Sequence, residues 1–231
     1  MSSARVLGVR VDRINLIGAV ELVSEWVKQD KKRYIVTVNP EFVMQAQKDG
    51  EFRKILNQAD LAICDGIGLR LASRDARVKL IRVTGRELMQ ALIKKGYKTM
   101  LVGSQSGIAR KAAETIRLNL VGNPTRFNLE GISEPDVRAI NKFKPDLLFV
   151  GMGMVKQEKW IVKNLAKLKV KVAMGVGGAI DQLNDPSLVA PVWMQTCGLE
   201  WLYRLIRQPW RIKRQLNLVK FAWLTSKQYL L

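Results

Sequence analysis

Short runs of β-branched and apolar residues alternate along this chain with longer stretches of helical spacing. A strand followed by about ten to fifteen residues of helix and then another strand pairs its strands in parallel, with helices packed on the sheet. Strands are expected at Arg5–Val11, Tyr34–Val38, Asp60–Cys64, Lys79–Val83, Lys98–Val102, Asp146–Val150 and Val170–Gly175. Between them, Leu16–Gln29, Arg86–Lys95 and Ile108–Leu118 space apolar residues as a helix does, and Pro40 is placed to open another at its first position. Gly66, Gly103, Gly151 and Gly175 stand where strands end. In open parallel sheets ligands lie outside the carboxyl ends of the strands, so a site is expected among these loops. At 231 residues and 48% apolar content the chain can bury a core and fold alone.

Composition then limits the chemistry. The chain has no histidine, which removes Ser-His-Asp and Cys-His systems and histidine-ligated zinc and leaves carboxylates, arginine and lysine. Cys64 and Cys197 form no C-x-x-C pair, and two cysteines are too few for a disulfide framework, so a reducing, cytosolic compartment is expected. Met1–Arg10 lacks the apolar core of a signal peptide. The longest charge-free stretch, Pro186–Leu199, has fourteen residues and two prolines, short of the roughly 18 to 20 that cross a bilayer. With 39 basic residues against 20 acidic, the net charge of +19 points to a polyanionic partner: nucleic acid, a phosphorylated substrate or an anionic membrane face.

The charge concentrates at one end. Residues 1–197 read as an α/β core and 198–231 as a basic helical appendage. From Trp201 to Leu231 there are seven basic residues, no acidic one and three of the six tryptophans. Pro209 splits the segment into two helical patterns. In the second, Ile212, Leu216, Val219 and Trp223 form an apolar stripe, while Lys213, Lys220 and Lys227 recur at seven-residue spacing elsewhere. This is the composition of a helix lying in a membrane interface; the alternative is a helix packed on the domain with a solvated basic face.

Several strand ends carry chemistry. Leu61-Ala62-Ile63-Cys64 delivers Asp65 and then Gly66-Ile67-Gly68, a carboxylate beside a backbone that a ligand can approach closely. Asp65 is a candidate general base, and equally a candidate N-cap for the next helix. Thr37-Val38-Asn39-Pro40 offers a hydroxyl and an amide to a polar ligand, with capping again the alternative. Arg82-Val83-Thr84-Gly85 places a guanidinium where an anion site requires one; a solvated arginine before an N-cap threonine is the other reading. Gly151-Met152-Gly153 and Gly175-Val176-Gly177-Gly178 can turn backbone N–H groups toward phosphate oxygens, and Gly103-Ser104 is a further candidate substrate contact. Neither G-x-G-x-x-G nor G-x-x-x-x-G-K-[ST] is completed, which argues against a nicotinamide dehydrogenase and a P-loop NTPase. The Asp-x-Asp spacing of many metal-dependent sugar-nucleotide enzymes is missing as well, so arginines and helix N-termini are the expected leaving-group stabilisers.

Six segments in order carry a resemblance over nearly the whole chain: Thr37-x-Asn39-Pro40-Glu41, Asp65-Gly66-x-Gly68, Arg82-Val83-Thr84-Gly85, Lys156-Gln157-Glu158-Lys159-Trp160, Gly175-Val176-Gly177-Gly178-x-x-Asp181 and Gly198-Leu199-Glu200-Trp201-Leu202-Tyr203-Arg204-Leu205. They resemble the WecG/TagA/CpsF family of bacterial glycosyltransferases. The resemblance implies a Rossmann-like, mostly parallel sheet flanked by helices, and an inverting enzyme needing no metal or other cofactor. The implied reaction moves N-acetylmannosamine from a UDP-sugar to undecaprenyl-diphosphate-linked N-acetylglucosamine for wall teichoic acid, at the inner face of the bacterial plasma membrane; other members use N-acetylmannosaminuronate or glucose. It makes Asp65 the proposed base, Thr37 and Asn39 polar residues of the same pocket, Arg82 a diphosphate contact and Gln157 a pocket glutamine. It puts the glycine turns, with Gly177 and Gly178, and Asp181 at the uridine nucleotide. It also implies that the appendage docks on the membrane, with Arg204, Arg207, Arg211 and Arg214 available for the diphosphates. The chain departs from the family pattern at Val155, where proline is common before K-Q-E, and at Val189-Ala190-Pro191, where R-A-P is common. A homo-oligomer is left open. The competing readings are a basic nucleic-acid-binding protein, for which no motif is present, and a family relative without turnover.

Overall fold

The computed structural model describes residues 1–73, 79–103, 107–119, 128–209 and 212–228. The chain opens with an antiparallel hairpin, β1 (Ser3–Val6) and β2 (Val9–Asp12), with Val6 opposite Val9. One continuous strand over Arg5–Val11 is therefore not what forms. Leu7 and Gly8 both take positive φ, 47° and 79°, and make the two-residue turn that suits a twisted hairpin. Turning there puts Ala4, Val6, Val9 and Val11 on one buried face. Buried Asp12 accepts the Ala62 N–H at 2.8 Å and ties the hairpin to the main sheet.

That sheet has six strands in the order β4 (Leu61–Cys64), β3 (Arg33–Val38), β8 (Val172–Gly175), β7 (Leu147–Gly151), β5 (Thr99–Gly103) and β6 (Leu129–Ile132). Every pairing in it is parallel. Successive side chains point to opposite faces. Tyr34, Val36 and Val38 enter one core with Ala62, Cys64, Met100, Val102, Leu148 and Val150. Ile35, Leu61, Ile63, Leu101, Leu147 and Phe149 enter the other. Helices α1 (Leu16–Lys28), α5 (Gly85–Lys94), α6 (Ile108–Asn119) and α9 (Ala179–Asn184) cover the second face. The hairpin, α2 (Pro40–Ala46), α3 (Gly50–Gln58), α4 (Ile67–Ala72), α7 (Val137–Phe143), α8 (Lys156–Asn164) and part of α12 (Ile212–Gln228) pack on the first. The short α10 (Val192–Thr196) and α11 (Glu200–Arg207) lead into α12.

Two details depart from the sequence reading. Lys79–Val83 forms no full strand: Arg82 makes a single parallel bridge to Cys64, and the Val83 N–H donates to the Cys64 carbonyl at 2.9 Å. β6 carries no clear signal in Leu-Glu-Gly-Ile, because only Leu129 is fully buried at this sheet edge. Its Gly131 is set by space. A Cβ there would stand 2.1 Å from the Ala109 carbonyl oxygen, and backbone cannot yield as a flexible side chain does. Gly131→Ala is expected to lift α6 off β6 and cost on the order of 3 kcal/mol. The check is the urea midpoint, which should fall; an unchanged midpoint would mean that the α6 contact gives way freely.

Candidate active site

A cavity of about 480 Å³ opens at the carboxyl ends of β3 and β4 and at the start of α9, and α11 and α12 close its far side. Each wall follows from local chemistry. β3 ends at Val38, and the Asn39 side chain caps α2 by accepting the Phe42 N–H at 3.0 Å, with Pro40 at the first turn. β4 ends at Cys64, and the Asp65 N–H donates to the Val38 carbonyl at 2.7 Å, which carries the pairing one step past the strand. Gly66 follows at φ 136°, a conformation that glycine adopts without strain, and the chain turns into α4.

Asp65 is freed from capping. Helix α4 begins at Gly66 without a side-chain cap, and α5 is capped by Thr84, whose hydroxyl accepts the Glu87 N–H at 3.1 Å while Glu87 accepts the Thr84 N–H at 2.9 Å. Asp65 Oδ2 accepts the first N–H of α5, that of Gly85, at 3.2 Å. Burial pushes its carboxyl up to about 6; the Gly85 N–H and the charges of Arg204 and Arg82 pull the other way, and Glu200 adds to the rise. Such a carboxylate is a stronger base than an exposed one and is still mostly ionised at pH 7.

Cations surround it. Arg82, Arg86 and Arg204 all line the cavity. Arg82 pairs with Glu200 at the first turn of α11, which pins that helix to the sheet edge, and Arg86 donates to Gln195 Oε1 at 3.1 Å. Leu71, Trp201, Leu218, Phe221 and Ala222 supply the apolar part of the lining. The arrangement sets the half-buried Asp65 carboxylate, with Glu41 and Glu200, beside several positive charges and a greasy wall, which suits displacement of an anionic leaving group from a partly apolar substrate.

Of the residues singled out by sequence, Asn39, Asp65, Gly66, Arg82, Gly178 and Arg204 meet at this cavity. Asp181 and Arg207 lie beside a neighbouring hollow of about 30 Å³ that shares Gly178, Gln182 and Arg204 with the main one. Thr37 and Gln157 are buried behind the lining: the Thr37 hydroxyl donates to the Gly175 carbonyl at 3.3 Å, and Gln157 accepts the Gly177 N–H at 3.0 Å. Gly103 pairs with Gly151 on the other half of the sheet. Ser104 and Arg211 lie outside the described residues, and so does the side chain of Arg214. Arg86, Gln182, Leu218, Phe221 and Thr225 were not singled out by sequence but line the cavity. Arg86, two residues beyond Thr84, had a findable signal in Arg-Val-Thr-Gly-Arg; the α12 residues had none, because only docking shows which face turns inward.

An α/β sheet with a half-buried carboxylate among arginines beside its strand ends suits a group-transfer enzyme. The profile of the glycosyl transferase WecG/TagA/CpsF family matches residues 4–231, and the chain belongs to that family; it is a transferase acting on sugars. It is 30% identical over 234 residues to the N-acetylglucosaminyldiphosphoundecaprenol N-acetyl-beta-D-mannosaminyltransferase of Staphylococcus aureus strain MRSA252 and to the protein of the same name from strain MW2, with 96% of this chain and 91% of each relative covered.

The raised carboxyl has a consequence for stability. The folded state holds the Asp65 proton more tightly than the unfolded chain, whose carboxyl titrates near 3.8, so stability from this group is full below that value and is lost as pH rises through about 6. Asp65→Asn is expected to flatten the fall in stability between these values and to be at least as stable as wild type at pH 7. Melting temperatures across that range provide the check, and a variant clearly less stable at pH 7 would contradict it.

Proposed function

We propose that the chain transfers N-acetylmannosamine from a UDP-sugar to undecaprenyl-diphosphate-linked N-acetylglucosamine, with inversion and without a metal ion, at the inner face of a bacterial plasma membrane. The observation that carries the reading is Asp65, raised to about 6 and set in one cavity with Arg82, Arg86 and Arg204. Asp65 removes the proton from the acceptor hydroxyl as its oxygen attacks the anomeric carbon. The bond from that carbon to the UDP oxygen breaks on the opposite face, so a single displacement inverts the centre, and UDP leaves with the added charge. Arginine side chains stabilise that charge, as each is placed before the reaction begins. Family membership and the names of the relatives support the sugar transfer, the donor sugar and the lipid acceptor.

Support for membrane docking comes from the outer face of the closing helices. Val192 and Trp193 of α10, Ile206 of α11, and Ile212, Val219 and Trp223 of α12 are exposed, while Phe221 and Thr225 face inward. Lys227 stacks its ammonium 4.1 Å from the centre of the Trp223 ring, so charge and aromatic surface sit together. No helix among the described residues is long and apolar enough to cross a membrane. A lipid-linked acceptor held at the surface would then reach a cavity whose apolar wall comes from the same helix that touches the bilayer.

Asp65→Asn is expected to lose about 10²- to 10⁴-fold in turnover while UDP binding survives, and wild-type kcat/KM should fall on the acid side with an apparent pKa near 6. Assays run in EDTA with a panel of UDP-sugars and a short-chain polyprenyl-diphosphate acceptor, read by product mass, test base, metal independence and donor together. Turnover of the variant within a few-fold of wild type, or none at all for wild type in EDTA, would sink the corresponding part.

The double variant Val219→Glu/Trp223→Glu alters only side chains that are 71% and 53% exposed, so the fold and UDP binding should persist. Its sedimentation with anionic vesicles should drop severalfold, as apolar burial and charge attraction are both weakened. Equal sedimentation of variant and wild type would remove this face from the docking surface.

A further inference from the structure

The turn after β8, Gly175-Val176-Gly177-Gly178, gives Val176 and Gly178 to the cavity lining, yet three of its four residues have no side chain to fix it. Buried polar groups from neighbouring elements hold it instead. Gln157 of α8, 1% exposed, accepts the Gly177 N–H on Oε1 at 3.0 Å and donates from Nε2 to Glu158 Oε1 at 2.6 Å. Glu158, equally buried, accepts the Val155 N–H on its other oxygen at 2.8 Å. From the β3 side Thr37 holds the Gly175 carbonyl. The two α8 side chains lie so close against Gly175 that a Cβ there would stand 2.5 Å from Glu158 Oε1 and 2.7 Å from Gln157 Nε2.

The hydrogen-bond inventory gives this arrangement one orientation. A carboxamide has a donor end and an acceptor end, and only its oxygen can meet the Gly177 N–H. A carboxylate accepts on both oxygens, so Glu158 takes Gln157 Nε2 on one and the Val155 N–H on the other, with its own N–H close by, and thereby sets which way the carboxamide points. Val155 sits at φ 72°, a costly conformation for a β-branched residue, and Glu158 holds its N–H there. Proline, common at this place in the family pattern, would have no N–H to give.

Resting on the reading of the cavity as a UDP-sugar site, we propose that Glu158 is a positioning residue for donor binding: it orients the Gln157 carboxamide, which fixes the Gly177 N–H and with it the wall that the nucleotide sugar rests on. Neither side chain touches substrate in this role. The role predicts that acceptor binding depends on the turn less than donor binding does.

Glu158→Gln tests it. The new amide must turn its NH2 toward one of the two donors, so one bond is lost and a donor meets a donor. Loss of one buried partner predicts a rise of about tenfold in the donor KM and in the UDP dissociation constant, with acceptor KM and kcat at saturating donor nearly unchanged. The exchanged pair Gln157→Glu/Glu158→Gln restores every bond: Glu at 157 accepts from Gly177 N–H and from the amide at 158, whose oxygen accepts from Val155. That double variant should recover donor KM to near wild type, which a loss of packing alone would not do. If the single variant does not fold, the double decides: folded with near wild-type donor KM supports the role, and unfolded overturns it. Unchanged donor KM in Glu158→Gln, no recovery in the exchanged pair, or an equal rise in acceptor KM would each overturn the role. Failure of wild type to bind UDP in calorimetry would overturn the donor reading itself, and this role with it.

Discussion

The register between β3 and β4 governs the site. Pairing Thr37 with Ile63 and Val38 with Cys64 makes the two strands end side by side, and the bond from the Asp65 N–H to the Val38 carbonyl extends that pairing past the strands. Asn39 and Asp65 therefore leave the sheet as neighbours. A slip of one residue would exchange the faces of β4, sending Ala62 and Cys64 into the wrong core and Asp65 away from the cavity. Two apolar cores of alternating residues hold the register, so the geometry of the cavity depends on the most strongly determined part of the fold.

From that point the structure opposes burial with charge. Partial burial of Asp65 raises its carboxyl, and the first N–H of α5 with Arg204 and Arg82 limits the rise. The result is a carboxyl raised to about 6, the range in which the proposed base would combine basicity with a large ionised fraction at neutral pH. Arg82 has a second task, since its pair with Glu200 anchors α11, and α11 in turn brings Arg204 to the cavity. Removing either partner would leave a partly buried charge exposed to the site and loosen the helix that closes it.

The closing helices have two faces with different surroundings, one packed on the core and one exposed. α12 packs through Phe221, Thr225 and the half-buried Leu224 against the core formed with α2 and α4, and leaves Ile212, Val219 and Trp223 outside. Folding alone does not explain the outer stripe. Its apolar side chains gain nothing from the domain, which is the physical ground for giving them a lipid surface as partner.

The sequence by itself determined the strands whose two faces are both buried, from Tyr34–Val38 to Val170–Gly175, because short, mainly apolar and β-branched runs between helical patterns leave a chain few other places to go. It also delivered Asp65 and Asn39 to strand ends, since position along a strand is a local property. The tertiary structure decided what contact alone can decide. The hairpin turn at Leu7-Gly8 and the reduction of Lys79–Val83 to one bridge depend on which neighbours are present to pair. Whether Asp65 caps a helix was settled by Thr84, nineteen residues on at the N-cap of α5, taking that task. Gln157 and Thr37 stand behind the cavity because burial on the sheet, unreadable from spacing, turned them toward the Gly175–Gly178 backbone. Only docking of α12 chose Phe221 for the inside and Trp223 for the outside, because an amphipathic pattern fixes relative faces on a helix but not which of them the rest of the protein will cover.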